Sequence, residues 1–177
     1  MFRKSRQFKA FLQDKWQELY KVAYAWTSDY ALASDLVQET ITRSLRNKGD
    51  FNNSEEMKIW LFKVLRNCWL DHLRRQKPRV DITEIELADK TDLEEEFHYR
   101  QLLSQVEAAF QRMSIEHREI LSLVVLEGMS YEATAEVLDI PTGTVMSRVS
   151  RARIALKQQI KLIESTNKLN PVLWRVK

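Results

Sequence analysis

The sequence contains few residues that break helices, with three glycines and three prolines among its 177 residues. A protein of many strands needs frequent turns, and glycine and proline supply many of the backbone conformations that turns require. Their scarcity therefore argues against a sheet protein. Leu, Ala, Glu, Lys, Arg and Gln are plentiful, and these residues favour helices. We predict an all-α fold.

The sequence also offers little for covalent or metal chemistry. The single cysteine, Cys68, cannot form a disulfide within the chain, and the three histidines are scattered without a metal-ligand spacing. No nucleophile, base and acid form a catalytic set, so we expect no metal, no cofactor and no enzyme. We expect Cys68 to pack as a small apolar residue.

Long hydrophobic runs are missing as well. No stretch of about 18 uncharged apolar residues occurs, and the basic N-terminus is not followed by an apolar segment. We therefore expect a soluble protein of the cytoplasm.

Charge is unevenly distributed, although the net charge is only +3. Residues 1–80 carry +7, residues 81–96 carry −7 and residues 97–177 carry +3. Pro78 is expected to end the preceding helix. We predict two small helical domains, 1–77 and 97–164, joined by an acidic flexible linker, 78–96, and followed by a tail, 165–177. The linker is either a self-repelling tether or a segment that occupies a basic channel of a partner.

The first domain shows helical periodicity in three segments. Apolar residues three and four apart predict one amphipathic helix over 8–23. A second helix is expected to start near Ser28 as N-cap and to include "ASDLVQETITRSL". Asn53 and Glu56 have the spacing of a capping box, which predicts a long helix over 57–76.

The second domain contains a predicted helix-turn-helix. Ser114, Ser130 and Thr142 are expected N-caps, and Gly128 is expected to end a helix. The short helix "YEATAEVL", the turn "DIP" and the helix that opens "PTGTVMSRVSRAR" give the pattern. Hydroxyl groups and arginines share one face of that last helix, which favours nucleic-acid binding over a merely solvated surface. The candidate groove residues are Thr144, Ser147, Arg148, Arg151 and Arg153.

The helix over 57–76 combines cations with aromatic residues. Phosphates pair with cations and unstacked bases lie on rings, so this combination is typical of single-strand binding. Taken singly, however, Trp60, Phe62 and Trp69 are each expected to pack in the core. Asp35, Gln38 and Glu39 form a polar face that fits a contact with another protein better than it fits catalysis.

Three segments, in this order, resemble bacterial sigma factors. "ASDLVQETITRSL" resembles the polymerase-binding helix of region 2, and "WLFKVLRNCWLDHLRR" resembles the helix that melts and reads the −10 element. "HREILSLVVLEGMSYEATAEVLDIPTGTVMSRVSRARIAL" resembles region 4, which reads the −35 element. With only these regions and a short linker, the chain resembles a sigma factor of the extracytoplasmic-function (ECF) type.

The resemblance implies a function, partners and residue roles. The chain would direct core RNA polymerase to specific promoters and initiate transcription, under the control of an anti-sigma factor that is often membrane-anchored. The linker would thread towards the polymerase active site. The residues implied to dock on the coiled-coil clamp of the largest polymerase subunit are Asp35, Leu36, Gln38 and Glu39. Those implied to bind the −10 element are Asp50, Phe51, Asn52, Asn53, Lys63, Arg66, Asn67, Arg74 and Arg75. Those implied to enter the major groove of the −35 element are Thr144, Ser147, Arg148, Arg151 and Arg153.

A second interpretation uses the same helix-turn-helix. The chain could be a stand-alone transcriptional regulator that binds duplex DNA unaided, with residues 1–77 as a sensing or dimerisation domain. The basic and aromatic helix, and the lack of a ligand-pocket signature, argue against this alternative.

Overall fold

The protein is seen in a computed structural model that describes residues 2–47, 49, 51–75 and 94–169, and it is all-α over these ranges. The prediction of the fold class is confirmed. The helices are α1 (Phe2–Asp14), α2 (Trp16–Thr27), α3 (Tyr30–Arg46), α4 (Ser54–Arg75), α5 (Glu94–Gln111), α6 (Ile115–Leu121), α7 (Tyr131–Leu138) and α8 (Thr142–Leu169). A π-helical turn, Ser122–Leu126, follows α6 directly. We call α1–α4 the first helical unit and α5–α8 the second.

The single helix predicted over 8–23 is two helices that meet at Lys15. The ψ angle of Lys15 is −4°, far from the ordinary helical value of about −42°. The backbone bonds from Lys15 N to Phe11 O and from Leu19 N to Lys15 O are both kept at 3.0 Å. The apolar periodicity therefore continues across a local break in the helical backbone at Lys15. A pattern of side chains in the sequence does not reveal such a break.

The start of α3 differs from the prediction by one residue. Ser28 is the left-handed C-cap of α2, with φ 56°, and its N–H donates to Tyr24 O. Asp29 is the N-cap of α3, because its Oδ1 accepts from the N–H groups of Ala31 at 2.8 Å and Leu32 at 3.0 Å. A carboxylate at this position also meets the positive end of the helix dipole. The prediction of Ser28 as N-cap was wrong.

The cap at the start of α4 is confirmed, with a shifted return bond. Asn53 Oδ1 accepts from the N–H of Glu56 at 2.8 Å. The Glu56 carboxylate accepts from the N–H of Asn52 at 3.0 Å, where a capping box would use Asn53. This backbone bond and the Asn52 amide hold the pKa of Glu56 below its ordinary value. The loop before α4 is thus fastened to the first turn of the helix.

The predicted caps of the second unit are mostly confirmed. Ser114 accepts from the N–H of His117 at 3.4 Å, and Ser130 accepts from the N–H of Ala133 at 3.0 Å. Gly128 has φ +62°, a left-handed conformation that suits glycine after a helix.

Thr142 is the first residue of α8 and not its cap, contrary to prediction. The carbonyl of Pro141 accepts from the N–H groups of Thr144 at 2.8 Å and Val145 at 3.1 Å. Since the Pro141 carbonyl already accepts these first helical bonds, the helix begins one residue earlier than the hydroxyl pattern indicates.

The two helical units share one hydrophobic core. α2 packs on α3 and on α6, while α4 lies along α7. At the junction the indole Nε1 of Trp26 donates to Ser122 Oγ at 2.7 Å, and Arg118 Nη1 donates to Ser28 Oγ at 3.1 Å. Trp26 and Ser122 have no exposed surface. The units are therefore joined by specific buried contacts, which the sequence did not predict.

Cys68 is buried between α4 and the rest of the first unit, as expected. Burial raises the pKa of its thiol, so the reactive thiolate is disfavoured at neutral pH. Within the described ranges, no helix is both long enough and apolar enough to cross a membrane.

Candidate nucleic-acid and partner interfaces

The first half of α8 has one buried face and one open face. Val145, Val149 and Ala152 are buried against the second unit. On the open side, Ser147 Oγ donates to Thr144 O at 3.0 Å, and Arg151 Nε donates to Ser147 O at 3.3 Å. A β-carbon added at Gly143 would meet no atom within 4 Å. The helix N-terminus is thus free to approach a large ligand closely.

The predicted groove residues differ in how open they are. Ser147, Arg151 and Arg153 are exposed, whereas Thr144 and Arg148 are half-buried. Arg148 also interacts electrostatically with the buried carboxyl of Glu119 on α6. The structure therefore places all five on α8 but leaves Arg148 partly engaged by the protein.

The helix α7 holds α8 in position. Thr134 and Ala133 are buried, and α7 packs on α8. The turn between them is closed by Asp139, whose φ is 49°, and by a bond of 3.1 Å from Ile140 N to Ala135 O. This arrangement is a helix-turn-helix with α8 as the second, outward-facing helix.

The polar face of α3 presents most of the predicted docking residues. Asp35 and Gln38 are exposed and Glu39 is half-buried. Leu36 is 2% exposed and lies in the core, so it does not join the others on the surface. A helix places residues one apart about 100° around its axis, which is why Leu36 turns inward.

Glu39 is also tied to the scaffold. Its Oε1 accepts from the Arg43 Nε at 3.0 Å, and Arg43 Nη1 donates to the carboxylate of Asp71 on α4 at 2.8 Å. This network holds the pKa of Asp71 below its ordinary value. Glu39 therefore links α3 to α4 as well as facing outward.

The loop before α4 rests on an aromatic cluster. The ring of Phe51 lies 6.4 Å from Phe8 and 5.1 Å from Trp60, centroid to centroid. Asn52 and Asn53 are exposed, and their amides donate to the Glu56 carboxylate. Asp50, the remaining loop residue predicted to bind DNA, lies outside the described residues.

The cations of α4 fall into two groups. Arg74 and Arg75, with Asn67, are exposed, and Arg74 Nη2 donates to Asp71 at 2.9 Å. Lys63 and Arg66 face the second helical unit: Lys63 Nζ lies 2.7 Å from the Glu136 carboxylate of α7. The structure therefore does not present the five polar residues as one open surface.

The aromatic residues interleaved with these cations belong to the core. Phe62 has no exposed surface, and Trp69 is 5% exposed. Trp60 is half-buried against Phe8 and Phe51. Core packing is confirmed for Phe62 and Trp69, so neither ring is available for a base to stack on.

Sequence reasoning missed two buried carboxyl groups at the junction of the units. Glu119 is 6% exposed, and burial raises its pKa although Arg66 and Arg148 attract its charge. Burial likewise raises the pKa of Glu127, whose carboxylate lies 3.4 Å from Lys58 Nζ. Both glutamates lie in the largely apolar run "EILSLVVLEG". A glutamate within such a run is the feature of the sequence that could have indicated a buried carboxyl group.

Among the described residues, no three or more His, Cys, Asp or Glu side chains are grouped in a way that could hold a metal ion.

Comparison with known proteins identifies both helical units. The family model of sigma-70 region 2 matches residues 16–79, and the model of sigma-70 region 4 matches residues 103–156. A probable RNA polymerase sigma-C factor from Mycobacterium bovis is 31% identical over 153 residues, which cover 85% of this chain and 82% of the relative. An ECF sigma factor, EcfG, from Rhodopseudomonas palustris is 34% identical over 126 residues, covering 70% of this chain and 68% of that protein. The chain belongs to the ECF sigma factors of the sigma-70 family.

Solved structures share this fold. The sigma factor RpoE of Bartonella quintana, seen in complex with the anti-sigma factor NepR, matches with a TM-score of 0.67 and 27% identity. The match covers 88% of this chain and 98% of RpoE. CnrH, seen with the cytosolic domain of CnrY, has the same fold, with a TM-score of 0.63, 20% identity and coverage of 89% of each chain.

Membership of this family decides between the two interpretations of the sequence. The chain is a transcription initiation factor that directs core RNA polymerase to promoters, and sigma factors are not themselves enzymes. A stand-alone regulator would not account for the region 2 match over residues 16–79.

Proposed function

We propose that three surfaces of this sigma factor have separate binding roles in transcription initiation. The α3 face docks on polymerase, α4 and its preceding loop bind the −10 element, and the open face of α8 enters the −35 major groove. The observation that carries the proposal is the division of α8 into a buried apolar side and an open side of hydroxyl groups and arginines. A surface of this kind offers donors to base edges and charge to phosphates.

Polymerase docking is assigned to Asp35, Gln38 and Glu39. Asp35 and Gln38 project from α3 into solvent, and Gln38 lines a shallow groove together with Gln13, Trp16 and Ile41. A carboxylate and an amide beside an apolar groove suit a helical partner with cations at its margin. Leu36 supports this face from the core.

The −10 element is assigned to the loop before α4 and to the cations of α4. Asn52 and Asn53 place amides at the tip of the first turn, where hydrogen bonds can recognise an unstacked base. The cluster of Phe8, Phe51 and Trp60 supports the loop from below. Asp50 is retained in this assignment on the family resemblance alone. The cations that would hold the strand phosphates are Lys63, Arg66, Arg74 and Arg75, with Asn67 beside them.

The −35 element is assigned to Thr144, Ser147, Arg148, Arg151 and Arg153. Arginine recognises guanine through paired donors, and the helix N-terminus attracts phosphate. Arg148 lies close enough to Glu119 for the two charges to attract, and it remains half-buried on α8.

Binding both elements requires the two helical units to separate. The elements lie about 25 base pairs apart, or roughly 85 Å along B-form DNA. A compact chain of this length has a radius of gyration of about 16 Å. Since α4 lies along α7, the closed arrangement cannot reach both elements at once. We assign the connection between the units to the acidic segment predicted over 78–96, which would follow a path through polymerase. The last three residues of that predicted range already belong to α5, so the helix begins earlier than the predicted domain boundary at 97.

We further propose that an anti-sigma protein regulates this chain in the cytoplasm, where polymerase and chromosome are found. The support is the match to RpoE, which was seen in complex with the anti-sigma factor NepR.

The proposal is tested by measuring binding to promoter fragments with and without core polymerase. A sigma factor of this type should bind duplex fragments weakly alone and tightly as holoenzyme, with a steep dependence on salt. Tight, specific binding by the chain alone, unchanged by polymerase, would contradict the proposal.

A further inference from the structure

Lys63, one of the proposed −10 cations of α4, faces a carboxylate of the second helical unit, and so does Lys58, one turn and a half earlier on the same helix. Lys63 Nζ lies 2.7 Å from the Glu136 carboxylate on α7. Lys58 Nζ lies 3.4 Å from the Glu127 carboxylate and 3.5 Å from the Glu127 carbonyl oxygen. Two successive cations of one helix thus meet two carboxylates from the other unit.

A third pair lies deeper at the same junction. Arg66 and Glu119 attract each other electrostatically, and Glu119 is 6% exposed. Within the described part of the chain, Arg66 Nε and Glu119 Oε1 are both buried without a hydrogen-bond partner. The junction therefore also buries an arginine nitrogen and a carboxyl oxygen that form no hydrogen bond with the described residues.

These carboxylates carry the same sign of charge as the phosphates of a nucleic-acid strand. A DNA strand presents one negative charge per nucleotide, and its affinity for proteins comes largely from pairing with Lys and Arg. Lys63 cannot hold the Glu136 carboxylate at 2.7 Å and a phosphate in the same position at once. Occupancy of α4 by the second unit and by DNA is therefore mutually exclusive at this residue.

We propose that Glu136 acts as an intrachain substitute for a phosphate of the −10 strand and competes with DNA for Lys63 on α4. This inference rests on the proposed role of α4 in −10 binding. The competition raises the apparent dissociation constant by the reciprocal of the open fraction. Polymerase and promoter must then displace Glu136 before Lys63 can hold the melted strand.

Glu136 offers the cleanest test, because it is exposed and its loss leaves the core intact. The side chains of Lys63 and Glu136 are 37% and 58% exposed, so their ion pair contributes only a modest energy. Glu132 provides a matched control: it is exposed in the first turn of α7 and forms no ion pair with described residues. Glu136→Gln and Glu132→Gln change the net charge equally.

The experiment measures fluorescence anisotropy of a random-sequence 20-nucleotide single-stranded DNA pool with the full chain. We expect Glu136→Gln to bind about threefold more tightly than the wild type, and Glu132→Gln to bind nearly as the wild type does. Lys63→Ala added to Glu136→Gln should remove the gain. Equal gains in the two glutamine variants would show that only net charge matters and would overturn the proposal, as would no gain in Glu136→Gln.

A second measurement tests the contact itself in the unmodified chain. A carbodiimide joins a lysine to a carboxylate only when the two are in contact, so it should link Lys63 to Glu136, as detected in peptides by mass spectrometry. Adding the DNA pool should lower the yield of that link. Its absence from the free chain would overturn the proposal. If the link forms but Lys63→Ala leaves DNA binding unchanged, the assignment of Lys63 to the −10 element fails and the competition fails with it. If Lys63→Ala weakens binding while Glu136→Gln has no effect, only the competition fails.

Discussion

The indole Nε1 of Trp26 donates a hydrogen bond of 2.7 Å to the Oγ of Ser122, across 96 residues of sequence. Both groups are fully buried, and Ser122 Oγ in turn donates to the Glu119 carbonyl at 2.9 Å. This short chain of bonds joins α2 of the first helical unit to the π-helical turn of the second. Within the described ranges, neither of the two residues has any exposed surface.

Removing this bond should weaken the closed arrangement. We predict that Ser122→Ala costs about 1–3 kcal/mol, because it leaves the indole N–H buried without an acceptor. Trp26→Phe should lower the free energy of unfolding by a smaller amount. The variant with both substitutions should reveal a coupling energy of about 1 kcal/mol between the two side chains. Urea unfolding of the wild type, the two single variants and the double variant gives the free energies for this double-mutant cycle. Strictly additive losses would mean that the bond contributes nothing.

The buried carboxyl of Glu119 should make stability depend on pH. Burial raises its folded pKa above the unfolded value, so the folded chain holds the proton more tightly. Its contribution is then fully favourable below the unfolded pKa and is lost as pH rises through the folded pKa. The charged groups around it are Arg66, Arg118, Arg148 and Glu116.

Glu119→Gln should therefore be more stable than the wild type at neutral pH. The difference should shrink as pH falls through the raised folded pKa, and it should be smallest below the unfolded value of about 4.5. Thermal unfolding over this range provides the measurement. A variant that is less stable at neutral pH would show that attraction from the arginines outweighs the cost of burial.

Asp35 is a better residue than Glu39 for testing polymerase binding, because its substitution should change the docking surface without disturbing the fold. Asp35 is exposed and its reversal leaves the scaffold intact, whereas Glu39 holds Arg43 against Asp71 on α4. We predict that Asp35→Lys weakens binding to core polymerase at least tenfold and preserves the melting temperature. Surface immobilisation of core polymerase gives the affinity. Glu164→Lys, an equal charge change at an exposed residue of α8, serves as the control. An affinity equal to that of the control would refute the docking role.

The −35 contact should depend on the arginines of α8. Arg151→Glu should lower promoter affinity of the holoenzyme by about tenfold, as expected for one lost base or phosphate contact. The double variant with Arg148→Glu should abolish −35 recognition while core polymerase still binds. Footprinting of holoenzyme on a promoter fragment measures this, with Lys161→Glu as the control. Loss of polymerase binding together with DNA binding would count against the assignment.

Much of the fold could be predicted because local signals decide it. Asn53, Ser114 and Ser130 cap helices as their side chains indicate, and the period of Val145, Val149 and Ala152 identifies the buried side of α8. Two helix starts were predicted one residue away from their observed positions. Asp29, and not Ser28, is the N-cap of α3. The Pro141 carbonyl accepts the first helical hydrogen bonds of α8, so that helix begins at Thr142 and not after it.

The candidate site was only partly predictable, because contacts between the units are not local. Periodicity places Lys63 on a polar face of α4, but it does not show that Glu136 lies opposite, 73 residues later. Adjacent residues such as Asp35 and Leu36 were grouped by motif, although one projects into solvent and the other into the core. Long-range packing decides both questions.

Run-off transcription measures directly whether this sigma factor starts transcription at promoters. Bacterial core polymerase is incubated with a pool of genomic promoter fragments, with and without this chain. We predict transcripts with defined start sites that appear only when the chain is present, and that disappear with Asp35→Lys or with the Arg148→Glu and Arg151→Glu double variant. Polymerase that initiates identically with and without the chain, while the chain alone binds a fragment tightly, would contradict this prediction.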